Sequence, residues 1–191
     1  MNLLRIFNLP LEVIEEAWTG NYKTHGSLAD ADCVIGLSFG YRGKGKNIQP
    51  GLSNEDLAAF AAKNFTDLPK ILQFEIADAY ESNGGMGKVL RVSKHRVAGK
   101  YLDTREVVAQ AKEIMRQRGW KTAVLLAHPY HMPRVQRVCN ALKVRWVAVE
   151  GLQGSIEFDL KSTQKWTRDL DHWRGYEPQA LAYYQAKGWL A

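Results

Sequence analysis

Two unbroken apolar runs stand out along the chain. Cys33-Val34-Ile35-Gly36-Leu37 lies between Asp32 and a polar, glycine-containing stretch that begins at Ser38. Thr122-Ala123-Val124-Leu125-Leu126-Ala127 stops at His128-Pro129. Neither run alternates with polar residues, which is the pattern of strands covered on both faces, as in a parallel sheet. Shorter windows at Lys70–Phe74, Lys88–Val92 and Arg145–Val149 carry β-branched or bulky apolar residues and read as further strands, so that about five are expected.

Between these windows the apolar period lengthens to that of a helix. Ser53-Asn54-Glu55-Asp56 has the make-up of a capping box, and Leu57, Phe60, Ala61 and Phe65 then recur on one face. Asp103-Thr104-Arg105-Glu106 opens a second helix, whose apolar residues run from Val107 to Met115 and which Gly119 should end. Pro133 suits the first turn of a third, striped by Val135, Val138, Cys139 and Leu142. Pro178 is expected to open a short last helix that turns Leu181 and Tyr184 inward and closes at Gly188, and an early helix is expected over Pro10–Trp18. This alternation predicts an α/β fold with a mostly parallel sheet. No repeat, low-complexity tract or linker divides residues 1–191, so one domain is expected. The polar stretch Ser155–Tyr176, with Trp166 and Trp173 embedded in it, reads as a long surface excursion folded back on the sheet.

Composition narrows the class further. With 46% hydrophobic and 24% charged residues the chain is an ordinary globular one, and two cysteines, Cys33 and Cys139, are too few for a disulfide scaffold. There is no run of about 18 apolar residues to span a membrane. Met1–Glu16 lacks the apolar stretch and small-residue cleavage site of a secretory leader, so a cytoplasmic protein with free thiols and no membrane anchor is expected. Charge is the unusual number: 26 Lys and Arg against 20 Asp and Glu give +6, which points to an anionic partner.

Open α/β sheets bind ligands beyond the carboxyl ends of their strands, where helix N-termini present free backbone N–H groups. After the first strand come Ser38, Gly40, Arg42, Lys44 and Lys46, cations spaced by glycines, which could cradle an anion or form a solvated turn. The stretch is not a Walker A motif, and neither is Gly84–Lys88. Ser38 sits in Gly-x-Ser-x-Gly spacing, yet no helix follows at once as a nucleophile elbow requires. After the second long strand come His128, Tyr130, His131 and Arg134. The two histidines are three apart, but no Cys or carboxylate cluster completes a metal site, and none is expected. His131, at the start of the Pro133 helix, could act as general acid or base or could only cap and pack; Arg134 could pair with a phosphate or carboxylate. Glu75, Asp103, Glu106 and Glu150 are the acids available to such a site, while Cys33 and Cys139 read as inert core residues. Lys88–Arg105 holds six basic residues against the single acid Asp103. Only Tyr101 interleaves with them, which makes nucleic acid an unfavoured partner.

The block Leu102-Asp103-Thr104-Arg105-Glu106, followed by a helix and by Val124-Leu125-Leu126-Ala127-His128-Pro129-Tyr130-His131-Met132-Pro133-Arg134, resembles the YdcF-like domain family, whose members include envelope proteins of the SanA and ElyC type. Ala31–Ile35 resembles that family's first strand, and Glu177 resembles a glutamate near its C-terminal helix; the likeness covers residues 30–188, with the Thr104–Arg134 block its specific part. The resemblance implies a Rossmann-like three-layer fold with a ligand crevice at the strand ends, and it implies Thr104, Glu106, His131 and Arg134 as site positions with Tyr130 beside them. Departures fall at expected ligand contacts: Leu37-Ser38-Phe39-Gly40 and Phe74-Glu75-Ile76-Ala77 replace glycine-rich turns, and His128 stands where a small hydroxyl residue is usual.

These readings converge on a cytoplasmic protein that binds, and acts on, a phosphate-bearing or nucleotide-like small molecule, as a transferase or hydrolase. Arg134, Arg105 and Lys44 would hold the anion, His131 would move a proton or stabilise charge, and Glu106 would orient the site. Ser38, Gly40, Arg42, Thr104, His128 and Tyr130 complete the expected contacts. The alternative is a non-catalytic regulatory or scaffold protein that binds a metabolite or an acidic partner. No cofactor is specified by these residues.

Overall fold

The computed structural model describes residues 9–191, so Met1–Asn8 of the stretch read for a leader lie outside the described residues. Five strands form one parallel sheet: β1 (Cys33–Gly36), β2 (Lys70–Gln73), β3 (Val89–Val92), β4 (Thr122–Leu126) and β5 (Arg145–Val147), in the order β3-β2-β1-β4-β5. Their register sets Ile35 between Ile71 and Leu125, and all three are essentially fully buried. Six helices accompany them: α1 (Leu11–Thr19), α2 (Leu52–Asn64), α3 (Phe74–Ser82), α4 (Thr104–Arg118), α5 (Met132–Ala141) and α6 (Leu170–Ala186). The right-handed rule for crossovers between parallel strands puts α2 and α3 on one face and α4 and α5 on the other. In keeping with this, α2 packs on α3, α4 packs on α5, and α1 touches α5 and α6. The result is the expected α/β, Rossmann-like three-layer arrangement.

The strand order positions the site. From β1 the chain runs outward through β2 to β3, then crosses back through α4 to place β4 on the other side of β1. The loops leaving β1 and β4 therefore part in opposite directions and leave a crevice between them. Both flanking helix starts follow expectation. Asp103 caps α4 by accepting from Glu106 N–H at 2.9 Å, Gly119 ends it in the left-handed region, and Pro133 occupies the first turn of α5.

Three local expectations are corrected. Ser53–Asp56 is not a capping box: α2 starts one residue earlier, at Leu52, after Gly51. Its cap comes from far away, where Asp159 Oδ2 accepts from Leu52 N–H at 3.1 Å while the carboxylate grips Arg42 at 2.8 and 2.9 Å. The last helix does not open at Pro178 but at Leu170, because Trp173 and Glu177, one turn apart and fully buried, anchor the half before the proline. Finally, the strand expected over Lys70–Phe74 stops at Gln73, and Phe74 opens α3, a helix that no N-terminal signal marks, since Gln73 offers no side-chain cap.

Asn54 ties the first turn of α2 to the end of β1. Its Oδ1 accepts from Phe39 N–H at 2.9 Å, and its Nδ2 donates to the carbonyls of Gly40 and Pro50 at 2.8 and 2.7 Å. Asn54→Ala strands these buried backbone groups and is expected to cost roughly 2–4 kcal/mol, read as a lower urea midpoint with an unchanged slope. A loss under about 0.5 kcal/mol would show that the β1 turn holds its shape without this bridge.

Candidate functional site

A cavity of about 540 Å³ opens at the carboxyl ends of β1, β2 and β4. Ser38 and Gly40 reach it from the turn after β1, Gln73 from the end of β2, Asp103 and Thr104 from the start of α4, and His131 and Arg134 from the start of α5. Its outer walls are aromatic: Tyr101, Trp166, Trp173, Tyr176, Tyr183, Tyr184 and Trp189 all contribute. Two of these, Trp166 and Tyr176, lie nearly parallel with ring centroids 4.8 Å apart.

Two hydroxyls on this cavity are each paired with an ionisable partner. On the β1 side, Ser38 Oγ donates to Glu75 Oε2 at 2.6 Å, while Ser38 N–H donates to Gln73 Oε1 at 3.1 Å. Burial raises the Glu75 carboxyl to about 7, against the opposing pull of the serine hydroxyl. On the α4–α5 side, Thr104 Oγ1 and His131 Nε2 are 3.0 Å apart. Burial first, and then the positive charge of Arg134, hold the His131 imidazole well below its ordinary value, so it is neutral at pH 7; its Nδ1 is buried with no hydrogen-bond partner among the described residues.

Arg134 is the buried cation of the cavity. Its Nε donates to Glu177 Oε1 at 2.8 Å, and its guanidinium lies over the rings of Tyr184 and Trp173, 5.3 and 5.8 Å from their centroids. Burial works against the charged guanidinium, but Glu177 together with the neighbouring Tyr184 and Tyr176 outweighs it and keeps the group protonated. The same burial pushes the Glu177 carboxyl up to about 7, with Arg134 opposing the rise.

Ser38, Gly40, Thr104, His131 and Arg134 are thus brought together as expected, whereas six other expected contacts are placed off the lining. Arg42 is spent on Asp159, and Lys44 stands exposed on the loop beyond it. Arg105 packs over the Trp189 ring at 4.9 Å, behind the wall instead of in it. His128 stacks on Phe39, with centroids 3.9 Å apart, and Tyr130 leans on Phe158 in the same cluster. Glu106 clamps Arg96, accepting from its backbone N–H at 3.1 Å and from its side chain at 2.7 and 3.0 Å. Those bonds hold the carboxyl down at about 2, so Glu106 is a fixed anion that pins the 94–103 segment to α4. Glu150 is exposed and away from the cavity. Both cysteines are buried and their thiols pushed up by burial.

The Ser155–Tyr176 stretch is more than a surface excursion. Gln164, Trp166, Thr167, Trp173 and Tyr176 line the cavity, and Gly40 gives this stretch room, since a Cβ there would collide with Thr167 Oγ1 and Ser162 Oγ. The embedded tryptophans of a polar segment were the available signal for this wall. Among the described residues no three His, Cys, Asp or Glu side chains come together as a metal site, and no helix is long and apolar enough to cross a membrane. No family model, curated protein or solved structure matches this chain.

Glu75 makes stability depend on pH. A carboxyl raised from 4.5 to about 7 by folding adds stability that is complete below about 4.5 and is lost as pH rises through 7. Glu75→Gln, which cannot ionise, is therefore expected to gain on the parent by up to about 3 kcal/mol between pH 5 and pH 8. Urea midpoints at four pH values measure this, and a difference that stays flat across the range would remove the assignment.

Proposed function

We propose that this chain is a cytoplasmic YdcF-like protein that binds a small anionic molecule, of phosphate-bearing or nucleotide-like kind, in the crevice beyond β1 and β4, and acts on it by proton transfer. The observation that carries the reading is Arg134: a guanidinium on a cavity wall, 7% exposed at its side chain, with only its Nε used by Glu177. Its remaining donors suit an anionic oxygen pair. The start of α4 adds backbone N–H groups and the positive end of a helix dipole beside it, with the Thr104 hydroxyl at hand. The Ser38–Glu75 and Thr104–His131 pairs supply hydroxyls backed by groups able to take or return a proton, which is what a transferase or hydrolase needs. Within this scheme Glu106 orients the site indirectly, by fixing the segment that delivers Lys100 and Tyr101.

One observation favours the non-catalytic alternative: His131 is buried and neutral with its Nε2 engaged on Thr104, which also describes a histidine that only shapes a binding pocket. Incubation of the protein with bound ligand followed by mass spectrometry separates the two, since a regulator returns the ligand unchanged.

Thermal-shift titrations with AMP, inorganic phosphate and 4-hydroxyphenylacetate are expected to show saturable stabilisation of the parent by at least one of them. Thr104→Val and His131→Gln should each weaken that binding about tenfold while leaving the unliganded protein folded. If none of the three anions stabilises the parent at millimolar concentration, the proposed site is wrong.

A further inference from the structure

The charges and walls around Arg134 narrow the ligand, given the anion site proposed above. The side chains that line the cavity include two fixed cations, Lys100 and Arg134, and one carboxylate, Asp103. Two further carboxyls stand directly behind the lining: Glu177 on Arg134 and Glu75 on Ser38. Tyr101 and Arg134 line the same space, and so does Ser38, which carries Glu75 behind it. Arg134 is thus already part-neutralised by a buried carboxyl, and a second carboxyl faces the serine beside it. An incoming dianion or polyphosphate finds a guanidinium already shared with Glu177 and has to shed its hydration among the rings of Trp173 and Tyr184. The cost of desolvation rises steeply with charge, while one planar carboxylate matches the terminal nitrogens of one guanidinium.

The aromatic wall beside Arg134, where Tyr176 adjoins Trp173, is built for a flat apolar body. Trp166 and Tyr176 present stacked, half-buried rings, and exposed Tyr183 and Tyr101 extend that surface to the mouth. Aromatic faces of this kind hold a ring by offset or edge contacts. Behind the lining, Arg105 over Trp189 and Lys187 over Tyr183 keep positive charge outside the cavity, where it adds to the field that draws an anion in without binding its head group.

We infer that the anion site proposed above takes, in place of a phosphate-bearing or nucleotide-like group, the carboxylate of a singly charged, ring-bearing small molecule at its deep end, with the ring against Trp166 and Tyr176. Isothermal titration of the full chain with 4-hydroxyphenylacetate and indole-3-acetate tests this beside AMP, ATP and the neutral amide of 4-hydroxyphenylacetate. The two carboxylates are expected to bind with Kd below about 1 mM, the amide at least tenfold more weakly, and ATP without saturation. The amide reads the charge requirement in the unaltered protein, so the result does not depend on whether Arg134→Gln folds. Trp166→Ala, at a half-buried position, is expected to weaken the carboxylates about tenfold. Binding of AMP or ATP without the carboxylates overturns this inference and leaves the anion site standing. Carboxylate and amide binding equally well overturns the role of Arg134 in both, and no binding by any of the five removes the site itself.

Discussion

The buried pair of Arg134 and Glu177 holds the architecture of the crevice together. It joins the start of α5 to the middle of α6 across 43 residues of chain, with the two side chains 7% and 0% exposed. Such a pair is costly to desolvate, and loss of one partner leaves an uncompensated charge in the interior. The pair therefore commits α6 to one position. From there α6 brings Trp173, Tyr176 and Tyr184 over the carboxyl ends of the strands, and the open crevice of a parallel sheet becomes a walled cavity.

Two other charge contacts prepare the loops that meet at this cavity. Asp159 holds Arg42 and caps α2, which fixes the turn after β1 that carries Ser38 and Gly40. Glu106 holds Arg96 on α4 and so sets the segment that carries Lys100 and Tyr101. Arg42, Arg91, Arg96, Arg116, Arg134 and Arg137 all have acidic partners, so these six arginines are balanced and the net charge of +6 is carried by other basic residues.

Features encoded locally were legible in the sequence. The apolar runs at Cys33 and Thr122, the Asp103 cap, the Gly119 stop and the Pro133 start all stand where their local chemistry puts them. With the strands placed, the rule of the carboxyl ends was enough to bring Ser38, Thr104, His131 and Arg134 to one place. Features set by distant partners were not legible. Arg42 looked like a ligand cation because Asp159 lies 117 residues away, and Ser53–Asp56 looked like a cap because the true cap is that same aspartate. The proline at 178 hid the first half of α6, whose stability comes from Trp173 and Glu177 packing elsewhere in the fold. Nor does Glu75 carry a sequence mark of its environment, since burial and a serine from another strand end decide its protonation.

A crystal structure of the full chain with 4-hydroxyphenylacetate bound tests the central claim most directly. The account predicts the carboxylate at about 2.7–2.9 Å from the terminal nitrogens of Arg134, with the ring between Trp166 and the strand ends. Density for the ligand on the exposed loop around Lys44, with the Arg134 cavity holding only water, would contradict it.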